Sequence, residues 1–196
     1  MDTVEIIGDY KKYRWFFTLS GKLVVGGKSA MQNEELLKRL KRQAMNFTLM
    51  HTESPGSPFS VILSDKITKS DIEETAVFTG CFSREWKRLK KETIIHIFAL
   101  SQLYKTKKMG IGTWAVKGKV ERKIAPLELF LTKQKNILRA VPEKTLKTKK
   151  YLLKITPGKI DKKDILPKIQ LEIAEHLNQE ELLSALPSGG IFISKK

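Results

Sequence analysis

Tyr13, Trp15, Phe17 and Leu19 recur at every second position with Arg14 and Thr18 between them, the alternation of a strand laid against a core. Phe16 interrupts it and makes the second face partly apolar too. Ser20-Gly21 predicts a tight turn into a second strand, Lys22 to Val25. Gly26-Gly27 ends that strand, and Ser29 stands where a side chain caps a helix, with Gln32 at capping-box spacing. From about Met31 to Arg42 the period becomes helical. Leu36, Leu37 and Leu40 fall on one side, while Lys38, Arg39, Lys41 and Arg42 charge the other surface and the C-terminal half, where the helix dipole favours cations.

Asn46 to His51 predicts a short strand, and the segment to Pro58 a loop, because two prolines and a glycine exclude a regular element. Phe59 to Leu63 is apolar enough for a central strand. Lys69 to Lys90 predicts a longer helix, capped by Ser70 with Glu73, with Ile72, Ala76, Val77, Cys81 and Leu89 as apolar surface. In it Phe78, Phe82 and Trp86 repeat every four residues and are expected against the sheet. Strands follow at Thr93 to Leu100 and Thr113 to Val120, around the basic loop Lys105 to Gly112. Leu127 to Leu131 and Ile137 to Val141 predict strands joined through residues 132–136. Tyr151 to Ile155 predicts another, before a Thr156-Pro157-Gly158 turn, and Asp161 to about Leu186 reads as helical. The expected fold is α+β: a mixed, mostly antiparallel sheet flanked by two main helices, with a small C-terminal helical appendage. The expected division is a domain over 1–124 and an extension over 125–196, strands first and acidic helices after.

A chain of 196 residues with 41% hydrophobic side chains can bury one full core. Charge sharpens the picture: 37 Lys and Arg against 21 Asp and Glu give +16, which draws a polyanion from a distance. The excess is uneven. Residues 1–160 carry 32 basic and 15 acidic side chains, residues 161–196 only 5 and 6, so the tail is not expected to hold the polyanion. The basic helices lack a broad exposed apolar face, and no run nears the roughly 18 apolar residues of a membrane span, so no membrane partner is expected. The opening Met-Asp-Thr-Val-Glu-Ile does not read as a secretory signal, which points to the cytoplasm. Cys81 alone excludes an intrachain disulfide framework, and its apolar helical neighbours predict burial, not nucleophilic work. His51, His96 and His176 are too widely separated for a histidine metal site, with His96 expected as a satisfied core residue. Gly110-x-Gly112 is too little for a dinucleotide fingerprint. No metal, cofactor or catalytic residue is assigned.

Four segments carry a resemblance. Tyr13-Arg14-Trp15-Phe16-Phe17 with Ser20 to Lys28, followed by Ser29-Ala30-Met31-Gln32-Asn33-Glu34, resembles the NFACT RNA-binding domain, which in full-length relatives accompanies a fibronectin-binding-like region in ribosome quality-control proteins. His51 with Pro55-Gly56-Ser57-Pro58-Phe59 looks like the family's second motif. Ile72-Glu73-Glu74-Thr75-Ala76 with Ser83-Arg84-Glu85-Trp86-Lys87 resembles its helical motif, and Gly112-Thr113-Trp114-Ala115-Val116-Lys117-Gly118-Lys119 its last strand. The likeness covers about residues 10 to 120 and is most specific at the double glycine with Gln32-Asn33-Glu34. It implies binding to tRNA or ribosomal RNA, in some members near the tRNA of a stalled large subunit, and looks most like a standalone form found in some archaea. The chain is not expected to carry the template-free tailing activity of full-length members. Glu53-Ser54 departs from the basic-then-acidic pair of some relatives, and residues 125–196 resemble no family.

The candidate RNA-binding residues follow from charge and from this resemblance. Gly26 and Gly27 either bring backbone N–H groups near Ser29, Ala30 and Met31 to a phosphate, with Lys28 beside them, or only supply unusual φ values. Gln32 and Asn33 either bond RNA or serve as cap and loop anchor; Glu34 is a candidate ion-pair partner for Lys28 or the loop after His51. His51 and Ser57 either touch RNA or hold their own loop. Arg14, Lys28, Lys38, Arg39, Arg42, Arg84, Lys87 and Arg88 are expected to converge on one face, with Lys105, Lys107, Lys108, Lys117 and Lys119 as a second group. Trp15 and Trp114 fit core positions better than base-stacking ones.

The sequence leads to a non-catalytic binder of tRNA or ribosomal RNA that reads shape and phosphates, on or near the ribosome. Two other readings stand beside it. One is an RNA-modifying or RNA-processing enzyme using His51, Glu53 and Ser57 for proton transfer. The other is an interaction module whose acidic tail docks a ribosomal protein or a second copy in a homo-oligomer.

Overall fold

The computed structural model describes residues 6–146, 153–173 and 177–195. Arg14–Phe17 (β1) and Leu23–Gly26 (β2) form the expected hairpin, Trp15 opposite Val25 and Phe16 opposite Val24. Its turn closes from Gly21 N–H to Thr18 C=O at 2.8 Å, with Gly21 at φ 85°, a region glycine enters without strain. Trp15 and Phe16 point to opposite faces and both are covered, so the second apolar face signalled by Phe16 is a second core surface.

Helix α1 (Ala30–Leu40) covers the first face, packing Leu36, Leu37 and Leu40 with Trp15, Val25 and Val61. β3 (Thr48–Thr52) and β4 (Ser60–Ile62) extend the sheet, with β4 in the interior position its apolar run predicts. Helix α2 (Lys69–Cys81) covers the other face, with Phe78 and Phe16 rings 4.6 Å apart. Its cap is Thr68 with Asp71, not Ser70 with Glu73; the Ser70 hydroxyl donates to Glu74 instead. The long helix predicted to Lys90 breaks at Phe82, and Ser83 caps a second, one-turn helix, α3 (Arg84–Lys87). The break turns Trp86 off the sheet faced by Phe78 and into another core.

β5 (Glu92–Ala99) pairs with β3, β6 (Leu103–Tyr104) with β7 (Ala115–Val116), and β8 (Glu121–Pro126) with β5. The strand expected over Thr113 to Val120 is therefore only two residues long: Gly118, at φ 78°, ends it, and the pairing strand begins after it. The first sheet is antiparallel throughout, in the order β1-β2-β4-β3-β5-β8.

A second antiparallel sheet follows, in the order β10-β9-β11-β12. Its strands are β9 (Leu129–Gln134), β10 (Ile137–Val141), β11 (Leu153–Ile160) and β12 (Ile191–Lys195). β9 and β10 meet at Lys135-Asn136, both at positive φ, as a two-residue hairpin turn requires. Residues 151 and 152 of the predicted strand lie outside the described residues. Pro157-Gly158 is not a turn: β11 runs through it with a register shift, where Gly158 and Gly190 let two backbones touch. The helical tail divides into α4 (Lys162–Ile173) and α5 (Gln179–Ala185), with residues 174–176 outside the described ones.

The two sheets are physically joined. Trp86 sits with Cys81 among Leu129, Leu138, Ile155 and Leu182, and its indole N–H donates to Gly190 C=O at 2.9 Å. The Gln134 amide also bonds both backbone groups of Phe17, accepting from N–H and donating to C=O, each at 2.7 Å. It takes the place of a neighbouring strand on the open side of β1. No helix among the described residues is long and apolar enough to cross a membrane.

Candidate nucleic-acid interface

A groove of about 650 Å³ opens where the four sequence segments meet. Its walls are the turn from Gly27 to Ala30, the loop from His51 to Phe59, Arg84 and Lys87 of α3, and the stretch Ile111 to Trp114. Arg14 and Ser188 stand at one end of it.

Gly26 and Gly27 do not supply unusual φ, since neither lies in the left-handed region. They are small because of what lies against them. A Cβ on Gly27 would sit 2.3 Å from Asn33 Oδ1, and one on Gly26 3.0 Å from Pro58 Cβ. Asn33 is thus an anchor, its Oδ1 accepting from Phe59 N–H at 3.2 Å, which ties the start of α1 to β4. Ser29 caps α1 through Gln32 N–H, and Gln32 Oε1 accepts from Lys28 N–H at 2.9 Å, one residue before the position a capping box uses. Both amide oxygens are thereby occupied. The N–H groups of Ser29, Ala30 and Met31 have no partner among the described residues, at the positive end of α1.

The His51 loop is held from within. Thr52 N–H donates to Ser57 Oγ at 2.9 Å, and Ser57 Oγ–H to Pro58 C=O at 3.1 Å. His51 Nδ1 lies 2.7 Å from Thr52 C=O, its ring against Phe59, and burial holds its pKa below the usual histidine value, so it is neutral at pH 7. Gly56 takes φ 105° and leaves room for the Arg84 side chain, whose Cδ would be 2.4 Å from a Cβ there. Glu53 pairs with Arg122 and lies 3.5 Å from His96, which faces the groove and not the core. Among the described residues no hydrogen bond links His51, Glu53 and Ser57, so the proton-transfer set proposed from sequence is not assembled.

Glu34 does not reach Lys28 or the His51 loop. It accepts from Lys105 Nζ at 2.7 Å, Gly112 N–H at 3.0 Å and Trp114 Nε1–H at 3.1 Å, with Lys38 Nζ at 3.1 Å. Burial would raise its pKa, but these donors outweigh that and pull it down to about 2. Gly112, at φ 74°, lies so close to Ala30 that a Cβ would be 2.7 Å from its Cβ. Glu34 therefore pins the second basic loop to α1 as a wall of the groove.

The predicted cations separate into groups. Arg14, Lys28, Arg84 and Lys87 line the groove, and none has a carboxylate partner among the described residues. Lys38 and Lys105 are engaged by Glu34, and Arg88 by Glu85. Arg39 packs beside Gly8; with α1 rising about 1.5 Å per residue, it and Arg42 lie well beyond the groove end of that helix. Lys107, Lys108, Lys117 and Lys119 are exposed and do not line the groove. Trp15 is core, whereas Trp114 is half-buried in the groove wall. The sequence reading misses the second half of the chain: Ser188 touches Arg14, and Arg139 lies 4.7 Å over the Trp15 ring beside it. The near-neutral charge of the tail concealed these contacts. No group of residues suited to a metal ion occurs among the described ones.

Known proteins share parts of this chain. A curated relative, the archaeal Rqc2 homolog aRqcH of Methanocaldococcus jannaschii, is 26% identical over 201 residues, taking in 95% of this chain but 29% of the relative. The chain thus spans under a third of that protein's length. The structure of the C-terminal part of the fibronectin/fibrinogen-binding protein from Streptococcus suis superposes with a TM-score of 0.50 at 18% identity, covering 59% of this chain and 44% of that one, a likeness of fold. Residues 12–118 match the family described as NFACT protein RNA binding domain. With more than half its length inside that match, the chain belongs to the NFACT RNA-binding domain family.

Proposed function

We propose that this protein binds structured RNA, tRNA or ribosomal RNA, in the groove bounded by Gly27, Arg84 and Gly112, and performs no chemistry on it. The observation that carries the reading is the set of groove cations, Arg14, Lys28, Arg84 and Lys87, left without carboxylates in a wall that Glu34 and Asn33 make rigid. Unpaired cations beside the open N–H groups of a helix start suit phosphate oxygens. Half-buried His51 and Trp114 offer ring surface to a base or ribose. Residues 1–124 form the RNA-binding unit on this reading, and residues 125–196 an extension that supports it.

On this reading the protein works in the cytoplasm, in translation or ribosome quality control, the latter setting being supported by the likeness to a protein named an Rqc2 homolog. Bulk tRNA in a low-salt mobility-shift assay tests the reading. Binding that weakens steeply with salt is the expected result, because each neutralised phosphate releases counterions. A wild-type protein that leaves tRNA unshifted at low salt removes the reading.

A further inference from the structure

Arg14 is the least explained charge in the molecule. It is half-buried at the groove end, its guanidinium 4.6 Å over the Phe82 ring, and the one hydrogen bond that guanidinium makes among the described residues is a long 3.5 Å contact to Ser188 Oγ. A guanidinium carries five N–H donors, so most of them are unspent. Burial pushes its pKa down to about 10, which still leaves it charged at pH 7.

Other cations crowd it. Arg139 shares a crevice with Arg14, nine-tenths buried, donating to Ser184 Oγ at 3.2 Å and to its neighbour's carbonyl. Lys162 Nζ donates to Leu183 C=O at 2.9 Å, near the end of α5. Burial and then repulsion from Arg14 and Arg139 lower the Lys28 pKa; burial and then Arg14 lower that of Lys162. Among the described residues, Glu181 acts on Arg139 and Asp161 on Lys162, and neither is an ion-pair partner of Arg14 or Lys28. The fold brings half-buried Arg14 and Lys162 and buried Arg139 close to exposed Lys28 and leaves Arg14 and Lys28 without a carboxylate among the described residues, an arrangement suited to an anion that arrives later.

We infer that the C-terminal half of the chain completes the RNA site: Arg14 and Lys28 grip one backbone phosphate at the end of the groove, Ser188 holds Arg14 in place, and Arg139 and Lys162 hold the positive field behind them. This rests on the RNA reading above and adds a subsite that residues 12–118 do not contain by themselves. The crevice behind Arg14 holds only about 10 Å³, too little for a phosphate, so the anion sits on the groove side.

The test is tRNA binding by fluorescence anisotropy over a salt series, with the full chain and Arg14→Gln, Lys162→Gln and Lys108→Gln variants. Arg14→Gln is expected to weaken binding roughly tenfold, the size of a lost charge-assisted contact, and to lower the salt slope by about 1. Lys162→Gln is expected to weaken it about threefold through the field alone. Neither should lower the melting temperature by more than the loss of one hydrogen bond would, because each variant also removes a partly buried cation with no carboxylate bound to it. Arg14→Lys, which keeps the charge but loses the two-pronged grip, is expected in between and guards against a misfolded Arg14→Gln. Variants at 14 and 162 that bind like Lys108→Gln, while Lys28→Gln and Arg84→Gln lose affinity, would overturn the subsite and leave the groove standing. A wild-type chain that does not bind tRNA at all removes both.

Discussion

Two clusters of lysine and arginine, drawn from the same stretch of chain, have opposite fates. Around Glu34, Lys38 and Lys105 are both paired, and Lys105, with the Gly112 and Trp114 N–H groups, fixes the loop that carries those residues. Around the groove, Arg14, Lys28, Arg84 and Lys87 keep their charge unspent. The difference lies in one buried carboxylate. Where a glutamate is supplied, cations become structural; where none is supplied, they stay available to a ligand.

The sharpest way to break this contrast is charge reversal on each side. Lys28→Glu with Arg84→Glu is expected to weaken tRNA binding by about 100-fold or more at fixed salt, since two phosphate contacts become repulsions. Reversal of Lys107 and Lys108 should cost far less. Equal losses in an anisotropy titration would erase the distinction.

Next in size comes Gly27→Ala. Its Cβ meets Asn33 Oδ1 at 2.3 Å, and relief means moving the anchor that joins α1 to β4. A loss of about 1–3 kcal/mol in urea unfolding is expected. A neutral Gly27→Ala would show that the close approach carries no stability.

Glu34→Gln follows, at roughly 2 kcal/mol, because half-buried Lys105 loses its ion pair while the amide keeps some N–H contacts. The same group makes stability depend on pH. Its folded pKa of about 2 is below the ordinary 4.5, so its contribution is full above that ordinary value and fades as pH falls toward about 2. Urea midpoints between those limits should drop more in wild type than in Glu34→Gln. Parallel curves would exclude Glu34 as the source. The smallest effect belongs to Lys108→Gln, an exposed loop cation outside the groove, which should leave affinity and salt slope close to wild type.

Much of this was legible before the structure. The hairpin, the Ser29 cap and the three leucines of α1 follow from period and capping chemistry, and the α+β class from their order. Two signals misled. The spacing of Phe78, Phe82 and Trp86 fits one helix, yet Ser83 starts a new one, because a cap is a local hydrogen bond that overrides a weak periodic pattern. Glycine misleads too: the sequence offers Gly26-Gly27 for a phosphate or for unusual φ, and Pro157-Gly158 for a turn, whereas close contact is what Gly27 and Gly158 permit. β12 escaped because five residues after a Gly-Gly pair carry little pattern, and they pair with a strand some thirty positions earlier. At the site, the motif residues were legible but their division into spent and unspent charge was not, since it depends on where a single glutamate points.

The Gln134 side chain has a consequence for anyone who shortens the protein. Its amide saturates the backbone of Phe17 from outside. A fragment ending before residue 127 would expose that hydrogen-bonding seam, along with Cys81 and Trp86 stripped of their apolar neighbours. Such a fragment should self-associate through β1, and what it then did with RNA would report on clumping as much as on recognition.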